Sequence, residues 1–290
     1  AVNSPTTVYD AFSVNVQDTM TTTGTTTVTQ GKLEGLSLTS VLCKGDDNFV
    51  DLNTALQADI RGGFTMSLWA KPNDGDTDAN QGLFGAFKDS DNDVIGYIDS
   101  SGQFSARFAA DGNAEYAVED GASFPNGATS WTHITLTVER VDATNATMKI
   151  YANGVERPLN VNDGTFSGSD INDFASDVDM TVGKYNRSGS EYYFAGKLRD
   201  FRCYDYALSA DQAASLYSGS YNVTPSHWWK LDDSISGTST PTAVDSGTGT
   251  ASNGTLTNFD ATTGLDADSD WSNGTLDLDG TLTIAANGTL

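Results

Sequence analysis

One short stretch of this 290-residue chain gathers Tyr185, Asn186, Arg187, Tyr192 and Tyr193. Phenol rings present flat apolar faces to the C–H surfaces of sugars, and amide and guanidinium groups bond sugar hydroxyls. These five are therefore candidate glycan contacts. Trp228 joins them, because it is adjacent to Trp229 and neighbours on a strand face opposite ways, leaving one indole to meet solvent.

Acid–base chemistry has thinner support. The glutamates are Glu34, Glu115, Glu119, Glu139, Glu156 and Glu191. Glu115 and Glu119 are separated on a strand by roughly 13 Å, too far for a pair acting on one bond, so they read as a solvated edge. His133 and His227 sit in no metal or nucleophile pattern. The chain has no His-Glu-x-x-His, no Gly-x-Ser-x-Gly and no Walker-type glycine loop. The reading is a protein that is not an enzyme.

Three stretches alternate acids: Asp74, Asp76, Asp78; Asp89, Asp91, Asp93; and Asp266, Asp268, Asp270. Each resembles the start of a calcium loop, which then needs Gly at its sixth position and Glu at its twelfth. The sixth positions hold Ala79, Val94 and Trp271 and the twelfth Gly85, Ser100 and Asp277, so all three fail.

The elements that must position these residues are strands. Phe64 to Ala70 and Ile134 to Glu139 alternate apolar with polar, the pattern of half-buried strands. Met148 to Ala152 runs into Asn153-Gly154, a hairpin dipeptide. Val94 to Ile98 and Phe104 to Phe108 flank Asp99 to Gly102 as a second hairpin. One helix is expected over Ser209 to Tyr217, with Ser209 as N-cap and Gly219 just beyond its end.

With 15 Lys plus Arg against 39 Asp plus Glu, the net charge of −24 excludes a phosphate-tracking surface and disfavours anionic membranes. No apolar run reaches the roughly 20 residues a spanning helix needs, so neither nucleic acid nor membrane insertion is expected. The opening AVNSPTTVYD is polar and shows no leader pattern. Cys43 and Cys203 are too few for a disulfide framework; they are either one bonded pair or two small buried hydrophobes.

In order along the chain, Gly31 to Leu38, Gly45 to Leu52 and Phe64 to Pro72 resemble the opening of a laminin-G-like domain of the concanavalin A-like superfamily. Trp131-Thr132-His133-Ile134 with Ile150 to Gly154 resembles its middle, and Gly196 to Ser209 its closing strand and short helix. The resemblance implies an all-β, two-sheet antiparallel jelly-roll sandwich over residues 1–218. Residues 219–290, which repeat Asn-Gly-Thr-Leu at Asn253, Asn273 and Asn287, resemble the start of a second module. This β-rich extension is expected to pack on the first module, to complete its sheets, or to dock on another chain through self-association or a surface or virion protein.

Members of the superfamily include lectins, adhesion modules and glucanases. Its retaining glucanases carry Glu-x-Asp-x-Glu, which none of the glutamates here begins. The family often holds a structural Ca²⁺ through an acid of the closing strand. Arg199 stands at that position with Asp200 beside it, so the candidate calcium ligands are Asp46, Asp47, Asp200 and Asp245. The expected function is a lectin-like adhesion module recognising polysaccharide or cell-surface glycan, outside the cell or on a virion. The alternative is a structural fibre or decoration protein of a virion.

Overall fold

The computed structural model describes residues 26–28, 40–75, 79–128, 130–164, 167–175, 177–219, 223–231, 242–259 and 282–284. Its strands begin with β1 (Thr26–Val28), β2 (Val41–Lys44), β3 (Phe49–Asp51), β4 (Gly63–Pro72), β5 (Gln81–Asp89), β6 (Asn92–Ile98) and β7 (Phe104–Ala110). They continue with β8 (Asn113–Glu119), β9 (Thr132–Arg140), β10 (Ala146–Ala152), β11 (Val155–Glu156), β12 (Leu159–Gly164), β13 (Thr181–Val182) and β14 (Lys184–Arg187). The last are β15 (Ser190–Tyr193), β16 (Ala195–Tyr204), β17 (His227–Trp229), β18 (Thr242–Ala243), β19 (Gly254–Thr257) and β20 (Leu282–Ile284). Three short helices are α1 (Gln57–Ile60), α2 (Gly168–Asp173) and α3 (Ala210–Ser218). Strands β1 and β20 pair with each other in a unit made of residues 1–39 and 270–290; all other elements belong to a second unit, residues 40–269.

That second unit is an antiparallel jelly-roll sandwich. One sheet runs β11-β10-β9-β4-β16-β17, with β2 on the same edge of β16 as β17. The other runs β12-β8-β7-β6-β5-β13-β3-β19-β18. The alternation in β4 and β9 turns Phe64, Met66 and Leu68, with Ile134, Leu136 and Val138, into the core. Phe84, Phe104 and Phe108 meet them from the second sheet, the Phe64 and Phe108 ring centroids lying 5.5 Å apart. The expected turns also form. Asn153 and Gly154, both at positive φ (51° and 78°), reverse the chain between β10 and β11. Helix α3 carries a capping box on Ser209 and ends at Gly219 in the left-handed region.

The C-terminal extension completes the sheets. β17 adds to the edge of β16, while β19 pairs with β3 and carries β18. One carboxylate fastens both additions. Asp245 accepts from His227 Nδ1 at 2.7 Å, from Trp228 N at 2.9 Å, from Gly247 N at 2.9 Å and from Ser252 N at 3.0 Å. Of the Asn-Gly-Thr-Leu repeats, the one at Asn253 leads into β19; those at Asn273 and Asn287 lie outside the described residues, as do Gly31 to Leu38.

Two expectations are resolved by register. The solvated edge read for Glu115 and Glu119 is overturned. Alternation along β8 buries both, and Glu119 (0% exposed) accepts from Phe104 N and Ser123 N, each at 2.8 Å, and pairs with Arg157. Cys43 and Cys203 are both free and buried. Cys43 lies opposite Gly196, so Cys203 is further along β16 by roughly 23 Å, far beyond disulfide reach.

Candidate functional site

The chain leaves the nine-stranded sheet at Gly183, crosses the outer face of β5 as the β14–β15 hairpin, and closes that excursion with a bond from the Phe194 N–H to the Gly183 carbonyl before entering β16 of the other sheet. Two glycines of β5 permit this close crossing. A Cβ on Gly82 would lie 2.4 Å from the Tyr192 carbonyl oxygen and 2.5 Å from the Tyr185 nitrogen. One on Gly85 would lie 2.6 Å from Tyr185 Cβ.

The hairpin therefore stands as a wall on the sheet, and the strands beside it form a floor. Tyr185 and Tyr192 face each other across the ladder and stack at 4.7 Å. Tyr185 also meets Tyr97 of β6 at 5.2 Å, and its hydroxyl accepts from Asn80 Nδ2 at 3.2 Å. At the far end of β14, Arg187 donates to the Tyr116 hydroxyl of β8, with its guanidinium 5.4 Å from the centre of the Tyr116 ring. Arg107 of β7 lies at the same 5.4 Å from that ring. The arrangement follows from register, because Tyr116, Arg107 and Ile95 are consecutive partners across β8, β7 and β6 and share the outer face.

Electrostatics sets the roles of these groups. Arg107 is buried, ion-paired with the fully buried Asp93, and donates to the Ser90 carbonyl oxygen. Burial lowers its pKa, the Tyr116 phenol opposes this, and like-charge repulsion from Arg187 adds to the lowering. Burial pushes the Tyr185 phenol up to about 12 against the Asn80 hydrogen bond, and it raises Tyr97 against a hydrogen bond to Ser105. Ser105 in turn donates to Asp99 at 3.2 Å. With Tyr185 buried beneath the hairpin, the groove presents the half-buried rings of Tyr97, Tyr116 and Tyr192, the Asn80 amide and the Arg187 guanidinium.

Of the residues expected from sequence, Tyr185, Arg187 and Tyr192 share this groove. The alternate phase of the hairpin turns Asn186 and Tyr193 to its other side. There Lys184 Nζ sits 3.8 Å over the Phe49 ring and pairs with Glu191, to which the Tyr193 hydroxyl also donates. Asn186 lines a cavity of about 300 Å³ with Phe49, Asp51, Phe87, Asp179 and Lys184. Trp228 is placed elsewhere, on the outer face of the seven-stranded sheet, between Arg202 at 4.5 Å and Lys230 at 4.8 Å, and leaves the groove set. Tyr97, Tyr116, Arg107 and Asn80 were missed by sequence reasoning. The alternation in Phe104-Ser105-Ala106-Arg107-Phe108 does put Arg107 out of phase with the core, but nothing local ties it to a hairpin so distant in the chain.

The calcium-ligand set does not fit the arrangement. Asp46 and Asp47 lie in the exposed turn before β3. Asp200, at φ 62° in a bulge of β16, accepts from Trp228 Nε1 at 2.6 Å and from Arg202 at 2.9 Å. Asp245 is filled by the four donors given above. Among the described residues no three His, Cys, Asp or Glu side chains come together to hold a metal ion. Asp76, Asp78 and the 266–270 acids lie outside the described residues.

No curated protein sequence matches the chain. Among solved structures it is similar to a candidate carbohydrate-binding protein from Bacteroides ovatus, at 20% identity over 77% of this chain and 59% of that one, with a TM-score of 0.52. Weaker similarities are to the CBM40 module of the Ruminococcus gnavus IT-sialidase (18% identity, 63% of this chain, 96% of that one, TM-score 0.46) and to the leech intramolecular trans-sialidase (21%, 66%, 29%, TM-score 0.47). The model of a laminin-G domain family, described as the concanavalin A-like lectin/glucanases superfamily, matches residues 44–214, and the chain belongs to that family.

Proposed function

We propose that this protein is a non-enzymatic, lectin-like module that binds glycan in the groove between the β14–β15 hairpin and the β6–β8 floor. The observation that carries the reading is the convergence of Tyr97, Tyr116, Tyr192, Asn80 and Arg187 on one outer sheet face, aromatic surfaces beside polar donors from separate elements. The superfamily to which the chain belongs includes lectins, and the Bacteroides ovatus likeness supports the sandwich. Against catalysis stands the state of the carboxylates at the groove. Asp93 is tied to Arg107, and Asp99 accepts from Ser101 N, Gln103 N and Ser105, so neither stands ready as a general acid or nucleophile. A module of this kind works where polysaccharide is met, outside a cell or on a particle surface.

The test is a polysaccharide and glycan array probed with the full chain, alongside Tyr116→Ala and Tyr192→Ala. Retention of at least one glycan, weakened in both variants while their melting temperatures stay within a few degrees of the parent, is expected. Absence of retention on every glycan overturns the reading. Release of reducing ends from a retained polysaccharide overturns its non-enzymatic half.

A further inference from the structure

We propose that the glycan held in the groove is acidic, and that the guanidinium of Arg187 receives its anionic group, a carboxylate or a sulfate ester. The proposal rests on the glycan reading above. The carrying observation is the company Arg187 keeps. It is half-buried at the end of β14, and its one hydrogen-bond partner among the described residues is a neutral phenol, the Tyr116 hydroxyl. No carboxylate among the described residues pairs with it, in a chain where 39 acids face 15 bases. Arg107, over the same ring, shows the contrast: its charge is answered by Asp93 and the Ser90 carbonyl, so it is spent within the fold.

Where no counter-ion comes from the described residues, an arriving anion offers a half-buried guanidinium the charge-assisted bonds that its neutral partner does not. The guanidinium is well shaped for that. One terminal nitrogen is used on Tyr116, and the remaining edge presents two parallel N–H groups, the fork that matches two oxygens of a carboxylate or sulfate. The tyrosines around it take the sugar ring, and Arg107 and Asp93 hold the floor rigid beneath. Since the whole chain carries −24, its overall field repels a polyanionic glycan. The guanidinium therefore selects by local geometry rather than by general attraction.

The experiment titrates the full chain with paired ligands that differ only in charge. One pair is oligogalacturonides and their methyl esters; the other is sulfated carrageenan oligosaccharides and their desulfated forms; lactose is a neutral control. The expected result is that at least one acidic ligand binds roughly ten- to a hundredfold tighter than its neutral twin, as for a charge-assisted hydrogen bond. Which pair responds identifies carboxylate or sulfate. In Arg187→Gln the preference for the acidic twin disappears, affinity for the acidic ligand falling at least tenfold more than that for its neutral twin, with the melting temperature within a few degrees of the parent; Arg187→Lys keeps part of the preference. Equal binding of acidic and neutral twins, or an undiminished preference in Arg187→Gln, overturns the proposal and leaves the glycan reading standing. Failure of every sugar, charged or neutral, overturns that reading and the proposal with it.

Discussion

Replacing Asp245 by alanine removes the one carboxylate that fastens the C-terminal strands to both sheets. Its side chain is 1% exposed and accepts four bonds of 2.7 to 3.0 Å, from His227 Nδ1 and from the N–H groups of Trp228, Gly247 and Ser252. Alanine offers none of these donors a partner, and His227 is buried. At roughly 1 kcal/mol for each bond the loss is about 4 kcal/mol, the same as the range of about 3–5 kcal/mol for removing one member of a buried charged pair. For a cooperative unit of this size that is a fall in melting temperature of roughly 6–20 °C.

Urea unfolding followed by tryptophan fluorescence reads it directly, because Trp229 is fully buried and stacks on His227 at 5.3 Å. A loss under about 1 kcal/mol refutes the assignment of Asp245 as a fastener. So does a wild type that EDTA destabilises by the same amount while Asp245→Ala is indifferent to EDTA, since that pair of results makes Asp245 a metal ligand.

The same cluster gives a pH dependence. Burial opposes the charge on His227, yet Asp59 and Asp245 together hold its pKa above the usual 6.5. A raised folded value means the contribution is complete below about pH 6.5 and is lost as pH rises through the folded pKa. The gap in melting temperature between wild type and His227→Gln should therefore narrow in alkaline buffer; a gap that widens contradicts it. Asp245 works in the opposite sense. Its hydrogen bonds outweigh burial and lower its pKa, so its contribution is present above the unfolded value and fades on acidification. Gly85→Val should push the hairpin off β5, since the first added carbon already comes within 2.6 Å of Tyr185. Glycan retention is then lost at a stability cost of about 1–3 kcal/mol, whereas unchanged retention shows that the wall does not shape the groove. Finally, burial raises the Cys43 thiol to about 12 and Cys203 well above its ordinary value, so neither should react with a thiol reagent until the chain is unfolded. Reaction in native buffer contradicts their placement.

Much of the sandwich was legible because its signals are local. Two-residue alternation marked β4 and β9, Asn153-Gly154 marked a turn, and Ser209 and Gly219 bounded α3. Half of the groove was legible for the same reason, since Tyr185, Arg187 and Tyr192 lie on one hairpin. The floor was not. Arg187 reaches Tyr116 across 71 positions and Asn80 reaches Tyr185 across 105, contacts that only the sheet order creates. Glu119 was misread because its spacing says which residues share a face but not which face is covered. Asp200 and Asp245 passed as metal ligands because a carboxylate that accepts several N–H groups looks, in sequence, the same as one awaiting a cation.

Closing both sheets with β17 to β19 also sets a timetable for synthesis. Strand β3 leaves the ribosome early, yet one of its edges is covered only by β19, and the Asn53 side chain bonds Thr255 across 202 positions. At roughly 5–20 residues per second, that edge waits about 10–40 s for its neighbour. Throughout this interval the nascent chain carries unpaired N–H and C=O groups beside an apolar face. Its yield in a cell is therefore governed by what shields that edge during translation as much as by the stability of the finished sandwich.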